Sequence, residues 1–197
     1  MQRFRATAPN AQKTTMNSSI DKALLRKQMA AARAAISSED KARFDAVIGE
    51  RVQAWVRQAG VRELAVYWPL RGEPALLPCY EALHAAGVRL ALPVVLARDA
   101  ALGFAEWQPG EAMVKDQMGV AVPAQLRALD RPGALLIPCL GFNSGRFRLG
   151  YGGGYYDRTL ETTPRPLTAG VAYACLQADF ASAPHDVALD VVITEAA

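Results

Sequence analysis

The sequence predicts an α/β fold: a single three-layer domain in which a mainly parallel sheet is flanked by helices. Short apolar runs alternate along the chain with longer segments of helical periodicity. These runs lack the polar alternation of a half-exposed strand, so both faces of the predicted sheet are covered. The length of 197 residues corresponds to one domain. We place this domain at residues 20–197, after a tail of residues 1–19 for which we expect disorder.

Two helices open the predicted domain. Ser18 followed by Asp21 has the S-x-x-D form of a helix N-terminus, and no helix breaker follows for more than a dozen residues. Ser37 begins a second helix, whose apolar residues recur at helical spacing until Gly60 ends it. The later helices are predicted over residues 74–86 and from Gly153 or Gly154 to about Glu161.

The strands are predicted from apolar runs bounded by proline, glycine or polar residues. They cover residues 63–68, 88–95, 103–107, 134–138, 167–174 and 187–194. A long glycine-rich loop and then a helix follow the run at 134–138. In a parallel sheet, such a loop lies at the carboxyl edge of the strands, where α/β folds bind ligands.

The positive charge of the chain is concentrated in the tail. Lysine and arginine number 22 against 19 acidic residues. Arg3, Arg5 and Lys13 lie in the first 20 residues, which contain no acid, so the remaining 177 residues carry no net charge. This neutral body disfavours a nucleic-acid-binding module. The tail lacks the apolar core of a secretory signal, and the chain has no long apolar run. We therefore expect a cytoplasmic protein without membrane partners. We also expect a monomer.

The cysteines and histidines exclude two further classes of protein. Cys79, Cys139 and Cys175 are odd in number and widely spaced, which indicates free, buried thiols in a reducing compartment. The only histidines are His84 and His185. A disulfide-stabilised scaffold, a zinc site and a multi-histidine metal centre are therefore excluded.

Residues 138–158, PCLGFNSGRFRLGYGGGYYDR, carry the residue types of a phosphate site and hold six of the chain's 15 glycines. A glycine loop between a strand and a helix presents backbone N–H groups and the positive helix end to anions. Arg146, Arg148 and Arg158 add positive charge. Asp157 is the only acid here, and within a phosphate loop it is suited to hold Mg²⁺ that bridges to the phosphates.

Known phosphate-binding patterns do not fit this segment. The P-loop pattern requires lysine where Tyr151 stands, and the dinucleotide-binding pattern requires glycine at Tyr155. The alternative without function is a tight turn that needs several residues with positive φ. Three consecutive glycines flanked by arginines, tyrosines and an aspartate favour a functional loop instead. The G-x-S-x-G spacing of serine hydrolases is absent.

The whole segment resembles the signature of the 5-formyltetrahydrofolate cyclo-ligase family, also called 5,10-methenyltetrahydrofolate synthetases. In that signature a strand ends in proline, glycine and phenylalanine follow, and R-L-G-x-G-x-G-[YF]-Y-D comes after a short spacer. The matching residues are Pro138, Gly141, Phe142, Arg148, Leu149, Gly150, Gly152, Gly154, Tyr155, Tyr156 and Asp157. The position between the last two glycines, often lysine in the family, is Gly153 here.

The resemblance extends over about residues 22–195 and implies the other site residues. It implies that ATP contacts Lys22, Arg26, Arg148, Leu149, Gly150, Tyr151, Gly152, Gly153, Gly154, Tyr155 and Tyr156. It further implies that folate contacts Trp68, Glu73 and Tyr155. A late element with Gln177 and Pro184-His185-Asp186 also matches the family, and it makes Asp186 the second candidate ligand of Mg²⁺ beside Asp157.

The activity implied by the resemblance is the ATP- and Mg²⁺-dependent cyclisation of 5-formyltetrahydrofolate to 5,10-methenyltetrahydrofolate, with release of ADP and phosphate. The reaction passes through a phosphorylated formyl group, an imidate phosphate. It needs no protein nucleophile, so catalysis rests on positioning and charge neutralisation. The residues implied to be catalytic are Arg148, Tyr155 and Asp157.

Several alternatives remain open from the sequence alone. One is a relative that binds nucleotide or folate without turnover, and another is a phosphate-ester enzyme on a related α/β scaffold, such as a sugar-phosphate isomerase or a coenzyme A transferase. Basic residues at the spacing of Lys22 and Arg26 most often form a solvated helix face. Trp68 is of a type that more often packs in a core, and His185-Asp186 is compatible with a simple turn.

Overall fold

The computed structural model describes residues 11–196, with side chains from residue 22 onward. This part of the chain contains four α-helices and ten short strands. The helices are α1 (Ala11–Ala34), α2 (Ser38–Gln58), α3 (Leu77–Ala85) and α4 (Tyr155–Leu160), with one turn of 3₁₀ helix at Ala174–Leu176. The strands are β1 (Glu63–Ala65), β2 (Arg89–Val94), β3 (Gly103–Trp107), β4 (Met113–Lys115), β5 (Ala121–Pro123), β6 (Ala134–Pro138), β7 (Gly141–Phe142), β8 (Arg148–Leu149), β9 (Leu167–Val171) and β10 (Val191–Ile193).

Six of the strands form one central sheet, in the order β10-β9-β6-β1-β2-β3. All neighbours are parallel except β2 and β3, which pair antiparallel at one edge. In the middle of the sheet, Leu64 of β1 lies in register with Leu90 of β2 and with Ala134 of β6. The predicted α/β fold with a mainly parallel sheet is confirmed.

Both faces of the sheet are covered, as the uniformly apolar strands predicted. Successive strand residues point to opposite faces. Leu64 and Leu136 pack into a core cluster with residues of α2 and α3. Ala65 and Leu135 pack into a second cluster with Leu160 of α4. The domain therefore has helices on the two sides of one sheet, which is the predicted three-layer arrangement.

The helix starts show one correct prediction and one wrong one. Ser37 caps α2, because its hydroxyl accepts a hydrogen bond from the backbone N–H of Asp40 at 3.0 Å. Helix α1 begins at Ala11 and not at Ser18, since no proline or glycine interrupts the residues between them. Residues 11–19 of the expected tail lie in α1, and residues 1–10 lie outside the described residues. The tail and the domain boundary at residue 20 stay predictions.

Two small hairpins were not predicted. Strands β4 and β5 pair antiparallel around the segment 116–120, and β7 pairs with β8 inside the glycine-rich segment. Each pairing involves only two or three residues per strand, too short a run to show a period of two in the sequence.

Candidate active site

The candidate site lies at the carboxyl edge of the sheet, between β1 and β6. The chain first builds β2 and β3 on one side of β1 and then returns to place β6 on the other side. The connections that leave β1 and β6 therefore diverge, and open α/β sheets bind ligands in the crevice at such a point. Glu73 follows β1 and the glycine-rich segment follows β6, so the fold brings the two predicted halves of the site together.

The glycine-rich segment leaves a row of backbone N–H groups available for a ligand. Gly152 and Gly154 have φ values of +96° and +65°, which glycine adopts without strain. Within the described residues, none of the backbone N–H groups from Gly152 to Tyr156 donates a hydrogen bond to another protein group. Consecutive N–H groups with open hydrogen-bonding capacity form a site for anions such as phosphate.

Helix α1 carries a row of charged side chains, two of which contact this loop. Lys22, Arg26 and Arg33 lie on one helix face, because they are four and seven residues apart. Lys22 Nζ donates to Asp186 Oδ2 at 2.8 Å, and Arg26 Nε donates to the carbonyl oxygen of Gly150 at 2.8 Å. Arg26, one of the two cations expected at the phosphates, thus lies at the loop that carries the available N–H groups, and Lys22, the other, lies at Asp186.

Arg33 is a site residue that sequence reasoning missed. It is 5% exposed, and its Nη2 donates to the hydroxyl of Tyr151 at 2.6 Å. That hydroxyl donates in turn to Glu73 Oε1 at 3.1 Å. The helical spacing of Arg33 from Lys22 and Arg26 was the signal in the sequence that would have found it.

Glu73 is a buried carboxylate that two donors hold in place. It is 4% exposed, and its Oε2 accepts a hydrogen bond from the backbone N–H of Leu70 at 2.9 Å. Burial raises the pKa of Glu73, and the donors Leu70 and Tyr151 and the cations Arg33 and Arg71 only partly oppose that rise. A buried acid with spare acceptor capacity is suited to bind N–H groups of a ligand.

Arg148 and Asp157 form an ion pair in the wall of the site. Arg148 Nη2 donates to Asp157 Oδ1 at 2.6 Å, and Arg148 Nη1 donates to the carbonyl oxygen of Val187 at 3.3 Å. The guanidinium carbon lies 5.9 Å from the centre of the Tyr156 ring. Burial raises the pKa of Tyr156, so its hydroxyl stays neutral. The Arg148 side chain is only 6% exposed, so little of it is open to a ligand in this structure. Its contact with a phosphate stays a prediction.

Asp157 and Asp186, the two predicted metal ligands, each face a basic residue. Asp186 Oδ2 accepts from Lys22 and, at 2.7 Å, from the backbone N–H of Ala183. Burial raises the pKa of Asp186, but these donors and the nearby His185 outweigh it and lower the pKa overall. No group of three or more histidine, cysteine or acidic side chains suited to a metal ion occurs in the described part of the chain. This donor set fits Mg²⁺ that is held mainly by phosphate oxygens and completed by one or two carboxylates.

The aromatic candidates occupy two different environments. Trp68 packs edge-on against Trp107, with ring centres 6.1 Å apart, at the margin of the main core. The Tyr155 ring lies over Gly153, where a Cβ would come within 2.9 Å of it. Arg158 lies beside both residues, since its Nη1 donates to the carbonyl oxygen of Gly153 at 2.9 Å and its guanidinium carbon lies 5.9 Å from the centre of the Tyr155 ring. Glycine at position 153 therefore allows Tyr155 to lie close to the loop.

The family of the chain follows from its match to a protein-family model. The model of the 5-formyltetrahydrofolate cyclo-ligase family matches residues 18–195. The chain belongs to the 5-formyltetrahydrofolate cyclo-ligase family. The resemblance seen in the glycine-rich segment is thereby confirmed, and so is the prediction that the protein is a ligase of this family.

Individual cyclo-ligases agree with this assignment over most of their length. The 5-formyltetrahydrofolate cyclo-ligase of Mycoplasma pneumoniae is 30% identical over 89% of this chain and 99% of its own. The cyclo-ligase of Escherichia coli K12 is 29% identical over 72% of this chain and 81% of its own. Among solved structures, a 5,10-methenyltetrahydrofolate synthetase from Mycoplasma pneumoniae has a TM-score of 0.74 at 29% identity, covering 89% of this chain and 99% of that one. A synthetase from Aquifex aeolicus shares the fold, with a TM-score of 0.77 at 24% identity, covering 89% of this chain and 90% of that one.

For this cyclo-ligase family member, the fold brings the predicted residues of α1, the Glu73 turn, the glycine-rich loop and Asp186 to one edge of the sheet. Leu149 is buried, and its backbone carbonyl oxygen accepts a hydrogen bond from the N–H of Leu140 at 3.0 Å, so a contact of Leu149 with ATP stays a prediction. None of the helices in the described residues is long and apolar enough to cross a membrane. The monomeric state and the cytoplasmic location stay predictions.

Proposed function

We propose that this cyclo-ligase family member converts 5-formyltetrahydrofolate to 5,10-methenyltetrahydrofolate in a reaction that requires ATP and Mg²⁺ and releases ADP and phosphate. The observation that carries the proposal is the loop at residues 150–156, where backbone N–H groups without a protein acceptor in the described residues lie beside Arg26. The family assignment supports the folate substrate.

The triphosphate of ATP is proposed to bind along the glycine-rich loop. The N–H groups of Gly152, Gly153 and Gly154 supply hydrogen bonds, and Lys22 and Arg26 supply positive charge. Lys22 exchanges its bond to Asp186 for a phosphate oxygen, at a modest cost because both side chains are partly exposed. Positive charge that is fixed before binding stabilises the negative charge that develops during phosphoryl transfer.

Mg²⁺ is proposed to bind with the nucleotide. Asp157 is the stronger candidate ligand, because Arg148 engages only its Oδ1, and Asp186 becomes available when Lys22 turns to the phosphates. When bound, Mg²⁺ neutralises phosphate charge and favours transfer of the terminal phosphoryl group. Arg148 keeps the Asp157 carboxylate in a single orientation.

Folate is proposed to bind at the carboxyl end of β1. Glu73 accepts hydrogen bonds from N–H groups of the pterin, and Trp68 borders the pocket. Tyr155, which lies over the glycine loop, is proposed to contact the formyl group. Folate and nucleotide then meet between the Glu73 turn and the loop, as transfer between them requires.

The chemistry accounts for the need for ATP. The N5-formyl group is amide-like and a weak electrophile, and ring closure must expel its oxygen. Transfer of the γ-phosphoryl group to that oxygen forms the O–P bond of an imidate phosphate and breaks the bond to ADP. N10 then attacks the activated carbon and loses its proton, and phosphate leaves with the former formyl oxygen. Each step needs positioned charge but no protein nucleophile.

The direct test is an assay of the purified protein with ATP, Mg²⁺ and 5-formyltetrahydrofolate, followed by the absorbance of the methenyl product. We expect product only when all three are present, and one ADP for each product molecule. Binding of both substrates without product would identify a non-catalytic relative. Activity on a phosphate ester without ATP would contradict the proposal in favour of a different enzyme class.

A matched pair of variants on α1 tests the phosphate site. Arg26 contacts the loop, whereas the neighbouring Lys27 is exposed. Because a hydrogen bond to a charged group contributes about 1.5–3 kcal/mol, Arg26→Ala should raise the KM for ATP about 10- to 100-fold. Lys27→Ala should leave that KM within about twofold of wild type. Equal effects of the two substitutions would contradict the assignment.

A further inference from the structure

The hydroxyl group of Tyr151 connects the two halves of the proposed site. It accepts a hydrogen bond from Arg33 Nη2 at 2.6 Å and donates one to Glu73 Oε1 at 3.1 Å. Tyr151 belongs to the glycine-rich loop, Glu73 to the turn after β1, and Arg33 to α1. One side chain thus links the loop proposed for phosphate to the carboxylate proposed for folate.

Burial of Arg33 and Glu73, the two charged partners of the Tyr151 hydroxyl, costs free energy. Arg33 and Glu73 are 5% and 4% exposed, and Arg33 Nε and Nη1 have no hydrogen-bond partner among the described residues. The guanidinium lies under the turn, since a Cβ at Gly72 would be 4.0 Å from Arg33 Nε. Apolar residues of similar volume commonly stabilise a fold at least as well as buried charges do. The arrangement therefore calls for a reason other than stability.

The Tyr151 ring lies at the surface rather than in the core. It is 45% exposed, although its hydroxyl lies between two buried charges. The guanidinium carbon atoms of Arg71 and Arg33 lie 5.1 Å and 5.8 Å from the centre of its ring. The ring therefore reaches solvent while its hydroxyl fixes the position of the loop relative to the turn.

On the basis of the proposed function, we infer that Tyr151 and Arg33 are positioning residues through which the nucleotide and 5-formyltetrahydrofolate strengthen each other's binding. Neither residue needs to touch the reacting atoms. Their role is to hold the glycine loop, with its N–H groups available, in register with the carboxylate that receives folate.

The sign of this coupling follows from hydrogen bonding at Glu73. Each carboxylate oxygen can accept more than one hydrogen bond, so a ligand can donate to Glu73 while Tyr151 stays bound. N–H donors of the ligand favour the ionised carboxylate, and a hydroxyl bonds an ionised carboxylate more strongly than a neutral acid. Bound folate therefore tightens the Tyr151–Glu73 contact and the loop. Bound nucleotide must tighten the folate site by the same factor, because linkage is reciprocal.

The test measures the affinity of a non-hydrolysable ATP analogue with Mg²⁺ by calorimetry, in the absence and presence of saturating 5-formyltetrahydrofolate. For wild type we expect folate to lower the Kd of the analogue at least about fivefold. Tyr151→Phe should reduce this factor to less than about twofold, and Arg33→Lys, which keeps the charge and one donor, should give an intermediate factor. Tyr80→Phe is the control, because the buried Tyr80 hydroxyl has no partner within the described residues, and it should keep the wild-type factor.

The outcomes separate this inference from the proposed function. A wild-type protein that binds both ligands with a factor near one, or a Tyr151→Phe variant with the wild-type factor, would overturn the coupling alone. A wild-type protein that binds neither ligand would overturn the proposed function and the coupling with it. Loss of the factor in Tyr80→Phe as well would show a general effect of lost tyrosine hydroxyls and would also overturn the coupling.

Discussion

Arg148 supports Asp157 from within the protein: Nη2 of the arginine donates to Oδ1 of the aspartate at 2.6 Å, and the two side chains are 6% and 23% exposed. The buried Arg148 side chain thus fixes the orientation of the more exposed Asp157 carboxylate. In the described residues, Oδ2 of Asp157 has no hydrogen-bond partner, so one oxygen is held and the other is available. That asymmetry leads to the first prediction.

Asp157→Asn should reduce cyclisation about 100-fold or more while the fold stays intact. Asparagine keeps an oxygen that can accept from Arg148, but it removes the charge proposed to bind Mg²⁺. Product formation as a function of Mg²⁺ concentration, together with the thermal unfolding temperature, measures both effects. Asp99→Asn is the matched control, since Asp99 also faces an arginine, at 3.4 Å from Arg158 Nη2, but is exposed. Normal turnover in Asp157→Asn would refute the metal assignment.

Glu73→Gln should change how stability depends on pH. Burial raises the pKa of Glu73 in the folded state, so the folded protein holds this proton at a pH where the unfolded chain releases it. The stability contributed by Glu73 is therefore fully present below its unfolded pKa and is lost as the pH rises through its folded pKa. Glutamine does not titrate.

Urea unfolding at several pH values between about 4 and 7 measures this effect. The unfolding free energy of wild type minus that of Glu73→Gln should decrease as the pH rises. A difference that stays constant over this range would show that Glu73 titrates alike in the folded and unfolded states.

Removal of residues 1–19 should leave kcat and both KM values within about twofold of the full chain. The site contacts of α1 among the described side chains begin at Lys22. A second truncation that removes residues 1–26 serves as the contrast, because it deletes Lys22 and Arg26 and should abolish activity. A large loss of kcat in the shorter truncation would assign a function to the tail.

The three cysteines should differ in reactivity towards a thiol reagent. Burial raises the pKa of Cys79 and that of Cys139 to about 12. Partial burial and the nearby Glu195 also raise the pKa of Cys175, but this residue is exposed to a reagent, which corrects the expectation that all three thiols are buried. One thiol per folded chain should react, and three should react after denaturation. If the Cys175→Ser variant has no fast-reacting thiol, the fast-reacting thiol of the wild type is that of Cys175. A fast reaction of two or more thiols in the folded protein would contradict the prediction.

The fold was largely predictable because its strands are marked locally. Strands Gly103–Trp107 and Ala134–Pro138 were predicted to the residue. The run at 63–68 was predicted too long, since pairing ends at Ala65 and the following residues leave the strand. There, Tyr67 donates its hydroxyl proton to the carbonyl oxygen of Pro74, a tertiary contact that no local pattern shows.

The site was predictable only where residue types cluster in the sequence. The glycine-rich segment, Lys22 and Arg26 were found from motifs and their resemblance to the family. The helical spacing of Arg33 marks it as a candidate, but its contact with Tyr151, 118 residues away along the chain, is not visible in any local pattern. A contact of that kind depends on which loops meet at one edge of the sheet.

The bond between Lys22 and Asp186 joins residues 164 positions apart. During synthesis α1 emerges before its partners. Gly150 and Tyr151, which bind Arg26 and Arg33, are made later, and Asp186, which binds Lys22, is made later still. The proposed binding site is therefore completed only when the segment with Asp186 emerges. A nascent or prematurely terminated chain that lacks this segment would have most of the sheet but an incomplete form of the proposed nucleotide site.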